Sequence, residues 1–134
     1  MKTILIVEDN PADSYLLEEA FRGASVEISR TVVRDGVEAM AFLLNQDPYQ
    51  DAPRPDAILL DLNMPKKDGR EVIRDIKEHR KLRHIPIVVF SGSSAKEEMA
   101  QLRAEGVAHT LVKPFDLDAY FSQVQTFLRI LAEC

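Results

Sequence analysis

Four short apolar runs of this 134-residue chain end in residues that can handle an anion or a metal ion. Glu8 and Asp9 close the run Thr3 to Val7, Asp61 follows Ala57 to Leu60, Ser91 follows Ile87 to Phe90, and Lys113-Pro114 follows Thr110 to Val112. Three carboxylates gathered at one edge would repel one another, and cannot cheaply all stay ionised unless a cation or a basic group neutralises them. Oxygen-only ligands favour Mg²⁺ (or Mn²⁺), and with no His or Cys cluster at suitable spacing zinc is disfavoured. In such a site one carboxylate can act as nucleophile toward phosphorus, giving an aspartyl phosphate. The ion and Lys113 would offset charge on the transferring group, and Ser91 would donate a hydrogen bond to it.

Each of these residues also has a plain structural use. Asp after a strand forms turns and helix caps, Ser91 could cap the next helix, and Lys beside Pro is an ordinary solvated loop residue. Their joint placement, in order, at the ends of four strands of one sheet is what turn chemistry explains poorly.

The elements that must position them follow from periodicity. Short runs rich in Ile, Val and Leu alternate with longer amphipathic stretches, the pattern of a parallel sheet covered by helices on both faces. Strands are predicted near Thr3 to Val7, Glu27 to Val33, Ala57 to Leu60, Ile87 to Phe90 and Thr110 to Val112. Helices are predicted near Ala12 to Arg22, Val37 to Leu44, Arg70 to Glu78, Lys96 to Glu105 and Leu117 to Ala132. Asn10-Pro11 reads as a cap and first-turn pair and Gly106 as a helix stop. In such a sheet, ligands bind outside the carboxyl ends of the strands. Asn45 to Asp56, with Pro48, Pro53 and Pro55, is a long polar connection, read as a surface insertion that could carry a binding surface.

At 46% hydrophobic and 29% charged residues, the composition is that of a folded soluble domain. One domain over residues 1–134 is expected, with no separate output domain. The formal net charge of −5 opposes attraction to nucleic acid or anionic lipid, so neither is an expected partner. No run approaches the roughly 20 apolar residues of a membrane span. The lone Cys134 has no intrachain partner, which points to a reducing, cytoplasmic setting.

Four motifs carry a resemblance to the receiver domains of bacterial response regulators. They are Ile6-Val7-Glu8-Asp9-Asn10, Leu59-Leu60-Asp61-Leu62-Asn63-Met64-Pro65, Val88-Val89-Phe90-Ser91-Gly92 and Val112-Lys113-Pro114-Phe115. The resemblance implies a flavodoxin-like, doubly wound α/β fold: five parallel strands in order 2-1-3-4-5, flanked by five helices. It implies that Asp61 is phosphorylated by a sensor histidine kinase. Asp9 would bind the metal directly and Glu8 through water, with Asp61 and the backbone carbonyl of Asn63 as further ligands. Ser91 and Lys113 would contact the phosphoryl group, Pro114 would follow a cis bond, and Gly69 would allow a tight turn into the third helix. The protein would be a phosphoacceptor assisting its own phosphorylation and dephosphorylation, without turnover of an external substrate.

Arg34-Asp35-Gly36, Pro53-Arg54-Pro55-Asp56 and Lys66-Lys67-Asp68-Gly69-Arg70-Glu71-Val72 further resemble the small response regulators paired with bacterial phytochromes. That likeness implies a bacteriophytochrome as phosphodonor. One position departs from the family: Thr110 stands where many receivers carry a Tyr or Phe that moves on phosphorylation, so a switch here must use other packing. His109, beside it, reads as a plain edge-strand histidine.

The last helix spaces Leu117, Phe121, Val124, Leu128 and Leu131 as an apolar stripe, widened by Tyr120, Phe127 and Ile130. The stripe is expected in the core. Its width predicts a homodimer through the fourth helix, fifth strand and fifth helix, with Leu117, Tyr120, Phe121, Val124, Phe127 and Leu128 as candidate contacts.

Two competing functions make distinct demands. A receiver used only for binding would lack the acceptor, the acidic pair or the lysine, and all are present. A Mg²⁺-dependent small-molecule phosphatase of the type closest to this site needs a second acid two residues after the nucleophile, as general acid. That position is Asn63, which cannot serve, though Asn63 and Ser93 would modulate hydrolysis of the protein's own phosphoryl group.

Overall fold

The computed structural model describes residues 2–24, 27–62, 68–92 and 96–133. Strands and helices alternate along the chain: β1 (Lys2–Val7), α1 (Pro11–Arg22), β2 (Ile28–Val33), α2 (Gly36–Leu43), β3 (Ala57–Leu60), α3 (Gly69–Glu78), β4 (Ile87–Ser91), α4 (Lys96–Ala104), β5 (His109–Val112) and α5 (Leu117–Ala132). The strands pair in parallel in the order β2-β1-β3-β4-β5, as expected.

Side chains two residues apart on a strand share a face, and this alternation divides the core in two. Leu5 and Val7 of β1, Ile58 and Leu60 of β3, and Ile87 and Val89 of β4 pack with Phe42, Val72, Ile73, Ile76 and Leu102 from α2, α3 and α4. The intervening residues Ile4, Ile6, Ala57, Leu59, Val88 and Phe90 pack with Leu17, Phe21, Val124 and Phe127 from α1 and α5. Three helices therefore cover one face and two the other.

Polar side chains start the helices where their first amides lack partners. Asn10 accepts from the amides of Ala12 and Asp13 at 2.9 and 3.3 Å, with Pro11 opening α1. Asp35, Asp68 and Asp116 cap α2, α3 and α5 in the same way. Gly106, at φ +99°, ends α4. Its amide bonds the Arg103 carbonyl while that of Val107 reaches back to Leu102, a Schellman closure with Leu102 and Val107 both in the core.

The connection from α2 to β3 is pinned to its helix. Asn45, at φ 55°, donates to the carbonyls of Tyr49 and Ala52. The Tyr49 ring packs edge-on against Phe42 at 5.2 Å, and its hydroxyl donates to Glu38 at 2.9 Å.

Two expectations are corrected. Among the described residues the cis peptide bond is Asp47-Pro48, and the bond before Pro114 is trans. A prolyl bond has only a small intrinsic bias between isomers, so its neighbours decide. Of the candidate dimer residues, Tyr120, Val124, Phe127 and Leu128 are buried within their own chain. The stripe is wide because α5 shares with α1 alone the covering of one face of a five-stranded sheet. Leu117 is exposed and Phe121 partly so.

Candidate functional site

The site forms where parallel pairing sets the ends of β1, β3, β4 and β5 side by side. The Glu8 amide donates to the Val33 carbonyl at 2.9 Å and the Asp61 amide to the Val7 carbonyl at 3.0 Å, fixing both acids just beyond their strands. Ligand oxygens of Glu8, Asp9 and Asp61 all lie within 4.8 Å of one another. Glu8 and Asp61 are buried.

Lys113 is the counter-charge. Its Nζ lies 2.6 Å from Glu8, 3.2 Å from Asp13 and 3.6 Å from Asp61. Its backbone amide donates to the Ser91 carbonyl at 2.8 Å, which ties the end of β4 to that of β5. The ammonium also stands 5.8 Å from the centre of the Phe90 ring, within cation–π range. Ser91 itself is fully buried.

The electrostatics follow from this crowding. Burial pushes the Glu8 carboxyl up to about 7; the hydrogen bond and charge of Lys113 oppose the rise and the charge of Asp61 adds to it. For Lys113, burial works downward, but the hydrogen bond and charge of Glu8, then the charges of Asp61 and Asp13, hold the ammonium above the ordinary lysine value. One cation thus faces three acids and cannot neutralise them all. The donor set, carboxylate oxygens converging on one point, fits a hard divalent cation. Glu8, Asp9 and Asp61 would hold it, and it would supply positive charge for stabilising a phosphoryl oxygen.

Gly69 earns its place by clearance. The first residue of α3 is pressed onto the acidic turn, its amide bonding the Leu62 carbonyl at 3.0 Å. A Cβ there would meet the Leu62 Cα at 2.7 Å and the Asp61 carbonyl oxygen at 2.8 Å. The close approach, rather than a positive φ, is what excludes a side chain.

Glu8, Asp9, Asp61 and Lys113 therefore meet, with Ser91 alongside through the backbone; Asn63 and Ser93 lie outside the described residues. Thr110 sits half-buried on β5, paired with Val89. Sequence reasoning missed Asp13. Its signal was available: an acid in the first turn of α1, four residues after Asp9, can turn back toward the strand ends. It also missed the place of Tyr120, whose ring lies 5.3 Å from that of Phe90 and whose hydroxyl donates to the Asp13 carbonyl.

The family model for the response regulator receiver domain matches residues 4–125. The chain is a member of that family. As a receiver it belongs to two-component signalling, whose response regulators transduce signals. It is 43% identical over 124 residues to the response regulator Rcp1 of Synechocystis sp., covering 92% of this chain and 84% of that protein. The receiver also superposes on a crystal structure of the phosphorylated cyanobacterial phytochrome response regulator RcpA with a TM-score of 0.91 at 41% identity, covering 98% and 94% of the two chains. The Mn²⁺-bound form of Rcp1 matches with a TM-score of 0.89 at 42% identity, covering 95% and 91%. Among the described residues of this receiver, no helix is long and apolar enough to cross a membrane.

Proposed function

We propose that Asp61 accepts a phosphoryl group from a sensor histidine kinase in a reaction that requires Mg²⁺ or Mn²⁺. The observation that carries this reading is the convergence of Glu8, Asp9 and Asp61 with Lys113 reaching toward all but Asp9. A carboxylate oxygen of Asp61 forms the bond to phosphorus as the bond from phosphorus to the kinase histidine breaks; the histidine nitrogen keeps the electron pair. Lys113 turns part of its charge to the incoming oxygens, and Ser91 supplies a hydroxyl donor from the end of β4. A bound divalent cation would offset the remaining negative charge. The same groups assist loss of the phosphoryl group to water, with no external substrate turned over.

A bacteriophytochrome is the proposed donor, supported by the likeness to RcpA, described as a phytochrome response regulator, and by 35% identity to the bacteriophytochrome response regulator AtBRR. Exchange with such a kinase places the receiver in the cytoplasm. Its output is protein contact, including a homodimer through α4, β5 and α5. The apolar residues of α5 left for that surface are Leu117, Phe121 and Ile130, the first exposed and the others partly buried.

Intact mass after incubation with a small phosphodonor and Mg²⁺ tests the core of the reading. The native protein gains one phosphoryl group and Asp61→Asn gains none. Equal labelling of both proteins would remove Asp61 as the acceptor. No labelling by either a competent donor or a phytochrome kinase would leave a binding module.

A further inference from the structure

We propose that Tyr120 is a positioning residue that passes the charge state of the Asp61 pocket to the packing of α5 against α1. The inference rests on Asp61 being the phosphoryl acceptor. Tyr120 lies in the first turn of α5 and is 2% exposed. Its ring leans on Phe90 at 5.3 Å and 50°, and Phe90 directly precedes Ser91. It also meets Phe121 edge-on at 6.4 Å.

Asp13 joins this ring to the acidic cluster by both of its ends. Its carboxylate takes the Lys113 ammonium at 3.2 Å, the same ammonium that stands 3.6 Å from Asp61. Its carbonyl accepts from the Tyr120 hydroxyl at 3.4 Å. The route from Asp61 through Lys113 and Asp13 to Tyr120 therefore crosses the ends of β3, β5, α1 and α5 without a gap in polar contact.

The last link is poised to change. An O–H···O bond is normally about 2.7–2.8 Å long, so at 3.4 Å a small movement of the Asp13 turn makes or breaks it. A phosphoryl group brings nearly two negative charges and three strong acceptors. It competes with Glu8 and Asp13 for Lys113, and Asp13 loses the cation that now holds it. Burial, then the charges of Asp13 and Glu8, keep the phenol protonated well above its ordinary range, so it remains a donor throughout. Thr110 on β5 has no ring with which to respond, whereas Tyr120 has a ring, a donor and a place on α5.

The response would emerge between α1 and α5. There Phe121, next to Tyr120, lines a cleft of about 200 Å³ with Glu19, Ala20, Gly23 and Gln125.

The chain has no Trp and only three Tyr, so replacing Tyr15 and Tyr49 by Phe leaves Tyr120 as the reporter in near-ultraviolet circular dichroism and emission. With Mg²⁺ and beryllofluoride or a small phosphodonor, the Tyr120 signal is expected to change in step with occupancy of Asp61, followed by intact mass for the phosphodonor. Asp61→Asn should lose both. In an otherwise native chain, Tyr120→Phe keeps the ring and removes the donor. It is expected to label at close to the native rate while the amide chemical-shift changes at Ala20, Gly23, Phe121 and Gln125 on labelling are lost. A labelled protein with a silent Tyr120, or Tyr120→Phe shifting those amides as the native chain does, overturns the inference and leaves Asp61 as acceptor. Absence of labelling in the native chain instead overturns the acceptor reading, and this inference with it.

Discussion

Gly69 is pressed against Asp61 so closely that a Cβ would stand 2.8 Å from the Asp61 carbonyl oxygen. Both neighbours it would strike are backbone atoms, which cannot rotate away, so Gly69→Ala must move the start of α3 or the acidic turn. The expected cost is about 1–3 kcal/mol, as for other overpacked sites. Urea unfolding should show a lower midpoint, and phosphoryl labelling of Asp61 should slow in the same variant.

Glu8 makes stability depend on pH in the direction opposite to most carboxylates. Its folded pKa, about 7, lies above the ordinary 4.5, so between these values the folded chain holds a proton that the unfolded chain has released. Stability from this group is full below pH 4.5 and falls as pH rises through 7, by up to about 1.4 kcal/mol per pH unit. Unfolding measured across that range without divalent cation should show the decline, and Glu8→Gln should flatten it.

Lys113 sets one positive charge beside Glu8 and Asp61, two of the three acids that would hold a divalent cation. Lys113→Met removes that competitor from beside Glu8 and Asp61. Mg²⁺ affinity is expected to rise about tenfold, or about 1.4 kcal/mol, even as phosphoryl labelling slows. Titration calorimetry reads the first and intact mass the second; unchanged affinity would mean that the amine and the ion do not compete.

Phe127 separates core from interface. It is 1% exposed and packs edge-on against Phe21 at 6.2 Å. Phe127→Ala should cost about 3–5 kcal/mol through the cavity it leaves. The loss should be the same at every protein concentration, because the ring belongs to its own chain; a loss that vanished on dilution would put it at a contact between copies.

Gly106 ends α4 at φ +99°, a region that side chains rarely adopt. Gly106→Ala is expected to cost about 1–2 kcal/mol, read as a lower urea midpoint with Asp61 labelling unchanged.

The ten elements were legible in the sequence because their signals are local. Alternation in Ile4 to Val7 marks which side chains share a face, Asn10-Pro11 opens a helix, and Gly106 closes one; each concerns residues only a few positions apart. Strand ends were legible for the same reason, and with them Glu8, Asp9, Asp61, Ser91 and Lys113. Tertiary structure decided how these meet. Lys113 and Glu8 are 105 residues apart, and the 2.6 Å between them depends on how five strands twist and register. The partition of one ammonium among Glu8, Asp13 and Asp61 is set by distances that run from 2.6 to 3.6 Å, which no spacing encodes. The wide stripe of α5 could not reveal that Tyr120, Val124, Phe127 and Leu128 face their own sheet, since periodicity shows that a face is apolar and not what covers it. Gly69 and Pro114 differ for a related reason: clearance and prolyl isomer are properties of the neighbours that folding brings, and those neighbours are chosen by packing.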